Sequence, residues 1–126
     1  LALGAAWEPF GRWILSPHPD AASEVAWAGV IDGRVRVVRV DRVFRASLNP
    51  LYEGEDAWWI VDYKSVHQEG ANPEELLPTL RTLFAPQLEA YARILRELHG
   101  TQLPVRAGLY YPRMQRFDWW ETGTVA

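Results

Sequence analysis

The chain of 126 residues has no cysteine. Disulfides, thiolate zinc sites and cysteine nucleophiles are therefore excluded, and the absence fits a reducing compartment such as the cytoplasm. No apolar run approaches the roughly 20 residues that cross a bilayer, so no membrane partner is expected. The opening Leu1-Ala2-Leu3-Gly4-Ala5-Ala6 is too short for a signal peptide and lacks a basic lead. No initiator methionine precedes it, which suggests a piece of a longer protein. There is no internal repeat, no low-complexity tract and no glycine-rich phosphate loop. Histidine is scarce too. His18 lies between two prolines with no second His or Cys at metal-ligand spacing, which fits a solvated loop residue better than a ligand. Lysine is the most telling scarcity: Lys64 is the only one, and the other twelve of the thirteen basic residues are arginine.

What is present is a large apolar fraction, 48%, in a length that suits one domain with its own core. The net charge of -3 does not advertise a polyanion partner. The distribution says more. Arg34, Arg36, Arg39, Arg42 and Arg45 fall in twelve residues that contain one acid, Asp41, a local basic strip in an acidic chain.

Strand and turn signals sharpen after a poorly defined lead-in over residues 1–22. Within that lead-in, residues 11–16 read as a short strand, and the Ser16-to-Asp20 stretch as a loop. Residues 24–31 and 34–45 form a hairpin about Asp32-Gly33, a dipeptide suited to a turn with two positive φ angles. Alternation slips at Val37-Val38, which predicts a bulge or bend there. Residues 46–56 are a polar loop. Ala57–Tyr63 is apolar on both faces, with Trp58 and Ile60 on one and Trp59 and Val61 on the other, the pattern of a central strand. Asp62 and Lys64 then share a face at its end. At the edge of a buried layer a charge must be paired or metal-bound.

Beyond a polar turn through His67 and Gln68, Asn72-Pro73-Glu74-Glu75 reads as a helix start. Pro78 and Pro86 predict a short helix over 74–83 and a main helix over 86–98 with Leu88, Tyr91, Ala92, Leu95 and Leu98 as its core stripe. Gln87 and Tyr91, four apart, share a face. His99 and Gly100 close the helix. Residues 104–111 are a strand, 112–115 a turn, and residues 116–121 a last strand whose Trp119 and Trp120 cover the sheet.

Val40-Asp41-Arg42-Val43, Ile60-Val61-Asp62-Tyr63-Lys64-Ser65 and Gln87-Leu88-Glu89-Ala90-Tyr91, in this order on strand, strand and helix, resemble the PD-(D/E)XK nuclease superfamily. Within it they are most similar to the RecB-like domain at the C-terminal end of UvrD/Rep-type helicase-nucleases. Glu24-Val25-Ala26-Trp27 also resembles the Glu-led strand that often opens these domains. The resemblance covers roughly residues 22–112. It implies one domain of α/β (α+β) class, with a restriction-endonuclease-like mixed central sheet flanked by helices.

It further implies a Mg²⁺- or Mn²⁺-dependent deoxyribonuclease, an exonuclease acting in double-strand-break repair and recombination. The parent chain would be an ATP-dependent DNA helicase, partnered by DNA and a second helicase-nuclease subunit. Mg²⁺ takes oxygen ligands and keeps several waters, so two carboxylates suffice beside a phosphate. On this resemblance Asp41, Asp62 and the Tyr63 carbonyl hold the metal, and Lys64 orients the attacking water. Gln87 and Tyr91 support the site or the DNA backbone, and Arg39 and Arg42, with their strip, meet phosphates. A single strand could stack on exposed tryptophans.

The chain departs from the pattern in three places. Val61 stands where the family name has proline. Val38 stands where many relatives have glycine. No helix is evident ahead of the first strand, where RecB-like domains carry a His or Glu. A catalytically inactive DNA-binding or structural module of the same fold is therefore the alternative, with an unrelated α+β ligand-binding domain a distant third.

Overall fold

A computed structural model describes residues 8–66 and 69–123. The opening Leu1-to-Ala6 stretch and the His67-Gln68 part of the polar turn lie outside the described residues. The elements in chain order are α1 (Pro9–Ile14), β1 (Ala22–Ile31), β2 (Arg34–Ala46), β3 (Ala57–Tyr63), α2 (Pro73–His99), β4 (Val105–Tyr111) and β5 (Arg116–Glu121). The strands form one mixed sheet in sequence order. The β1–β2, β2–β3 and β4–β5 pairs are antiparallel, and β3–β4 is parallel. The protein is thus α+β, with the long helix α2 as the crossover that parallel pairing requires.

The predicted hairpin forms with both turn residues in the left-handed region, Asp32 at φ 51° and Gly33 at φ 76°. β3 is central as its composition demands: six of its seven residues are buried. Trp58 and Ile60 enter the core beneath α2, with Leu88, Tyr91 and Leu95. Trp59 and Val61 enter a second core beneath α1, with Trp13, Ile14 and Phe44. Two helices therefore cover opposite faces of the sheet.

Four expectations need correction. Residues 11–16 are not a strand. Pro9–Ile14 is a helix, opened by proline in its first turn and capped by Glu8, whose Oε1 and Oε2 accept from the Phe10 and Gly11 N–H groups. A helix ahead of the first strand is thus present. Second, α2 is one helix through both prolines. A proline removes one backbone bond and crowds the preceding turn, but ties to the β5 side lie before and after each proline. The Arg116 guanidinium pairs with Glu74, Arg81 makes a two-pronged ion pair with Asp118, and Glu89 accepts from the Trp120 indole N–H at 2.8 Å. Third, Leu98 is half exposed, since the helix has by then overrun the core.

Fourth, β1 and β2 keep one register through Val37-Val38, so no bulge occurs there. The break in alternation lies at Asp41. Val40 and Val43, three apart, both face α2, while Phe44 and Ala46 face α1. Opposite Asp41, Glu24 takes φ 54°. An acid is thus held where two pleats change phase together.

Candidate functional site

Asp41, Asp62, Lys64, Gln87 and Tyr91 meet where β3 ends and the β1–β2 hairpin runs on past it. The two strands bring Asp41 beside Asp62: Arg42 pairs with Val61, so the register carries Asp41 to the residue after it. The Tyr63 N–H donates to Asp41 Oδ2 at 2.9 Å. Asp62 is buried, at 6% exposure. The ladder continues one residue past β3, because the Lys64 N–H donates to the Tyr110 carbonyl at 2.9 Å. That extended backbone keeps Lys64 on the Asp62 face, and its Nζ lies 2.7 Å from Asp62 Oδ2. The ammonium also sits 4.3 Å from the centre of the Phe84 ring, which fixes it from the α2 side.

Burial and a hydrogen bond with the Asp41 carboxyl push the Asp62 pKa up from 3.8 to about 6, against the downward pull of Lys64. Two acids forced together out of water leave an electrostatic excess that one lysine does not cancel. Tyr91 is buried and bonded to Gln87. Burial and the charges of Asp62 and Asp41 hold its hydroxyl proton more tightly than usual. The helical pair therefore closes the site from above, as its four-residue spacing predicts.

These donors are hard oxygens with no thiolate or imidazole among them, and they suit Mg²⁺ or Mn²⁺. The set is small. Among the described residues no group of three or more His, Cys, Asp or Glu side chains is gathered. A groove of about 540 Å³ leads to Tyr91 between the β1–β2 hairpin and α2, lined by Ile31, Arg36, Arg39 and Gln87 among others. A larger cleft, about 630 Å³, lies elsewhere, beside Trp58, Arg45 and His99.

The arginines divide. Arg39 and Arg36 line the groove, and Arg39 is exposed. Arg42, expected at the DNA, is buried and points to the other face. Its three nitrogens donate to the Ile14 carbonyl, the Ser23 hydroxyl and the Ser16 carbonyl at 3.0, 3.0 and 2.8 Å. It fastens α1 and the following loop to the sheet. His18, expected in solvent, stacks on Phe44 at 4.5 Å, and burial lowers its pKa. None of the described tryptophans is exposed.

Sequence reasoning missed two supports. Phe84 is three residues before Gln87 and shares its helical face, but a helix read as broken at Pro86 hides that spacing. Glu8 caps α1 and accepts from the Tyr110 hydroxyl at 2.7 Å, a contact across the whole chain that no local pattern encodes. No protein-family model and no curated protein matches the chain.

Proposed function

We propose that the chain is a metal-dependent DNA nuclease domain of the PD-(D/E)XK, RecB-like kind, hydrolysing phosphodiester bonds. The observation that carries this reading is the convergence of Asp41, Asp62 and Lys64 at one sheet edge under Tyr91. The element order supports a restriction-endonuclease-like fold: a helix, three antiparallel strands, a crossover helix and a parallel strand. Asp41, Asp62 and the Tyr63 carbonyl would hold Mg²⁺ or Mn²⁺, which on binding supplies water activation and charge neutralisation at the phosphate.

The chain's own residues do the rest. Lys64, held on Asp62 and Phe84, is placed to orient an attacking water and offset charge building on phosphoryl oxygens. Gln87 and Tyr91 hold the roof of the site. Arg36 and Arg39 line the groove by which a DNA backbone would enter, contacting phosphates without reading bases. In this reading the domain serves a helicase-nuclease in double-strand-break repair and recombination in the cytoplasm, with the remainder of a helicase chain and a second subunit as partners. Among the described residues no helix is long and apolar enough to cross a membrane.

The second reading, a DNA-binding module without activity, draws on the smallness of the acid set. Glu8, beside α1, is engaged in capping and with Tyr110 rather than at Asp41 and Asp62. Incubation of linear DNA with the full-length protein and Mg²⁺ or Mn²⁺ separates the two. Degradation supports the nuclease. DNA retention without degradation under either metal sinks it in favour of the module.

A further inference from the structure

Lys64 has two partners, and they lie on different elements. Its ammonium sits 2.7 Å from Asp62 Oδ2 on its own extended segment and 4.3 Å from the centre of the Phe84 ring on α2. The Lys64 side chain is 20% exposed, so both contacts are largely shielded from water. The carboxylate is the stronger partner, since a full charge outweighs the quadrupole of a ring. Phe84 is fixed independently of the lysine. It is half-buried and packs against the core that holds Leu80 and Leu88.

The two partners differ in how they respond to a metal. On the nuclease reading Asp62 also binds Mg²⁺ or Mn²⁺. A divalent charge on that carboxylate repels the ammonium and weakens its tie to Asp62. Among the described residues no second acid pairs with Lys64 to take over. The ring keeps its attraction, because these cations take oxygen ligands and leave an aromatic face free. A lysine has a strongly hydrated head on a flexible four-carbon stem. Without the ring, solvent is its best alternative.

We propose that Phe84 is a positioning residue: its ring keeps the Lys64 ammonium in the site while a divalent metal occupies the Asp62 carboxylate. The inference rests on the nuclease reading and deepens it. Lysine and metal are then held by different partners and can face one phosphate together.

The single lysine of the 126-residue chain makes the test direct. Protein labelled with ¹³C-lysine gives one ε-CH₂ signal by NMR, and a ring beneath it shifts its protons upfield. Mg²⁺ is diamagnetic and leaves the signal sharp. The upfield shift should persist in saturating Mg²⁺ in the wild type. In Phe84→Leu it should be lost, and in Phe84→Tyr, which keeps a ring, it should return. Phe84→Leu should also cut linear DNA about tenfold more slowly, the scale of one desolvated cation–ring contact. DNA affinity should be unchanged, and Phe84→Tyr should restore the rate. Should Phe84→Leu fail to fold, the wild-type signal in Mg²⁺ and Phe84→Tyr still decide. A wild-type signal that moves to the position of free lysine on adding Mg²⁺, one indifferent to Phe84→Leu, or site amides that ignore Mg²⁺ overturn the assignment. A ring-dependent shift that persists in Mg²⁺, in a wild type that cuts no DNA, leaves the seat standing and removes the nuclease.

Discussion

The Lys64 ammonium stands 2.7 Å from Asp62 Oδ2, on the same face of one extended segment and against the Phe84 ring. In the proposed nuclease the chain's only lysine would stand where nucleophile and phosphate meet. Removing an electrostatic group aimed at developing charge costs about 10²–10³ in rate. Lys64→Ala should therefore lower DNA degradation by about that factor or more, and Asp62→Ala should abolish it. Both should leave DNA binding within a few-fold. Filter binding beside a degradation assay on one preparation reads the two quantities. Retained cutting in Lys64→Ala removes lysine from the mechanism.

The raised pKa of Asp62 sets a second expectation. Between about pH 4 and pH 6 the folded chain keeps a proton that the unfolded chain has released. The Asp62 contribution to unfolding free energy therefore falls as pH rises through that window, and its cost is complete above pH 6. The shift corresponds to at most about 3 kcal/mol. Asp62→Asn removes the ionisation. Relative to wild type, the variant should gain roughly 1–3 kcal/mol in stability between pH 4.5 and pH 8. Urea denaturation at the two pH values gives this difference directly, with the unpaired Lys64 common to both measurements on the variant. A difference independent of pH would mean that Asp62 is not held proton-rich by Asp41 and burial.

On the proposed nuclease reading, a divalent cation would compete with that same proton. Below about pH 6, metal affinity should fall by about tenfold per pH unit, and well above it should be flat. Isothermal titration with Mn²⁺ from pH 5 to pH 8 reads the slope. An affinity unchanged across pH 6, or lost equally in Arg39→Ala, places any bound metal away from Asp62.

Much of this arrangement is legible in the sequence, and the exceptions have a common cause. β3 declares itself because Trp58, Trp59, Ile60 and Val61 are apolar on both faces, and Asp62-x-Lys64 follows from period-two geometry. Gln87 and Tyr91 follow from the helical repeat. Each of these is local. The failures are properties of the assembled fold. Pro86 stops a helix by propensity, yet α2 continues, tied to β5 on both sides of it through Arg81–Asp118 and Glu89–Trp120. The phase change at Asp41 depends on Glu24 across the hairpin, so β2 alone misplaces it by a few residues. His18 between prolines reads as solvated until Trp13 and Phe44 close around it.

The division among the arginines is testable by salt. Neutralising one phosphate contributes a slope of about -0.9 in log affinity against log salt on duplex DNA. Arg36→Ala and Arg39→Ala, in the groove that reaches Tyr91, should each reduce the magnitude of the slope by up to about one unit. Fluorescence anisotropy between 50 and 200 mM salt covers a suitable range. Slopes unchanged in both variants would close this groove as the DNA path.

Arg42 belongs to the same strip in sequence and should behave in the opposite way. At 9% exposure its guanidinium is the partner of the Ile14 and Ser16 carbonyls and the Ser23 hydroxyl. Arg42→Met keeps much of the aliphatic stem but leaves these oxygens without their donor. Unsatisfied buried acceptors cost about 1–3 kcal/mol each where water cannot replace the lost partner. Ser23 is exposed, and its hydroxyl is readily rehydrated. The two carbonyls beside α1 carry most of the loss, so the expected destabilisation is about 2–4 kcal/mol. It should appear as a lower urea midpoint, while the salt slope for DNA stays at its wild-type value. A variant of wild-type stability with a reduced salt slope would instead make Arg42 a phosphate contact and require α1 to move aside when DNA binds.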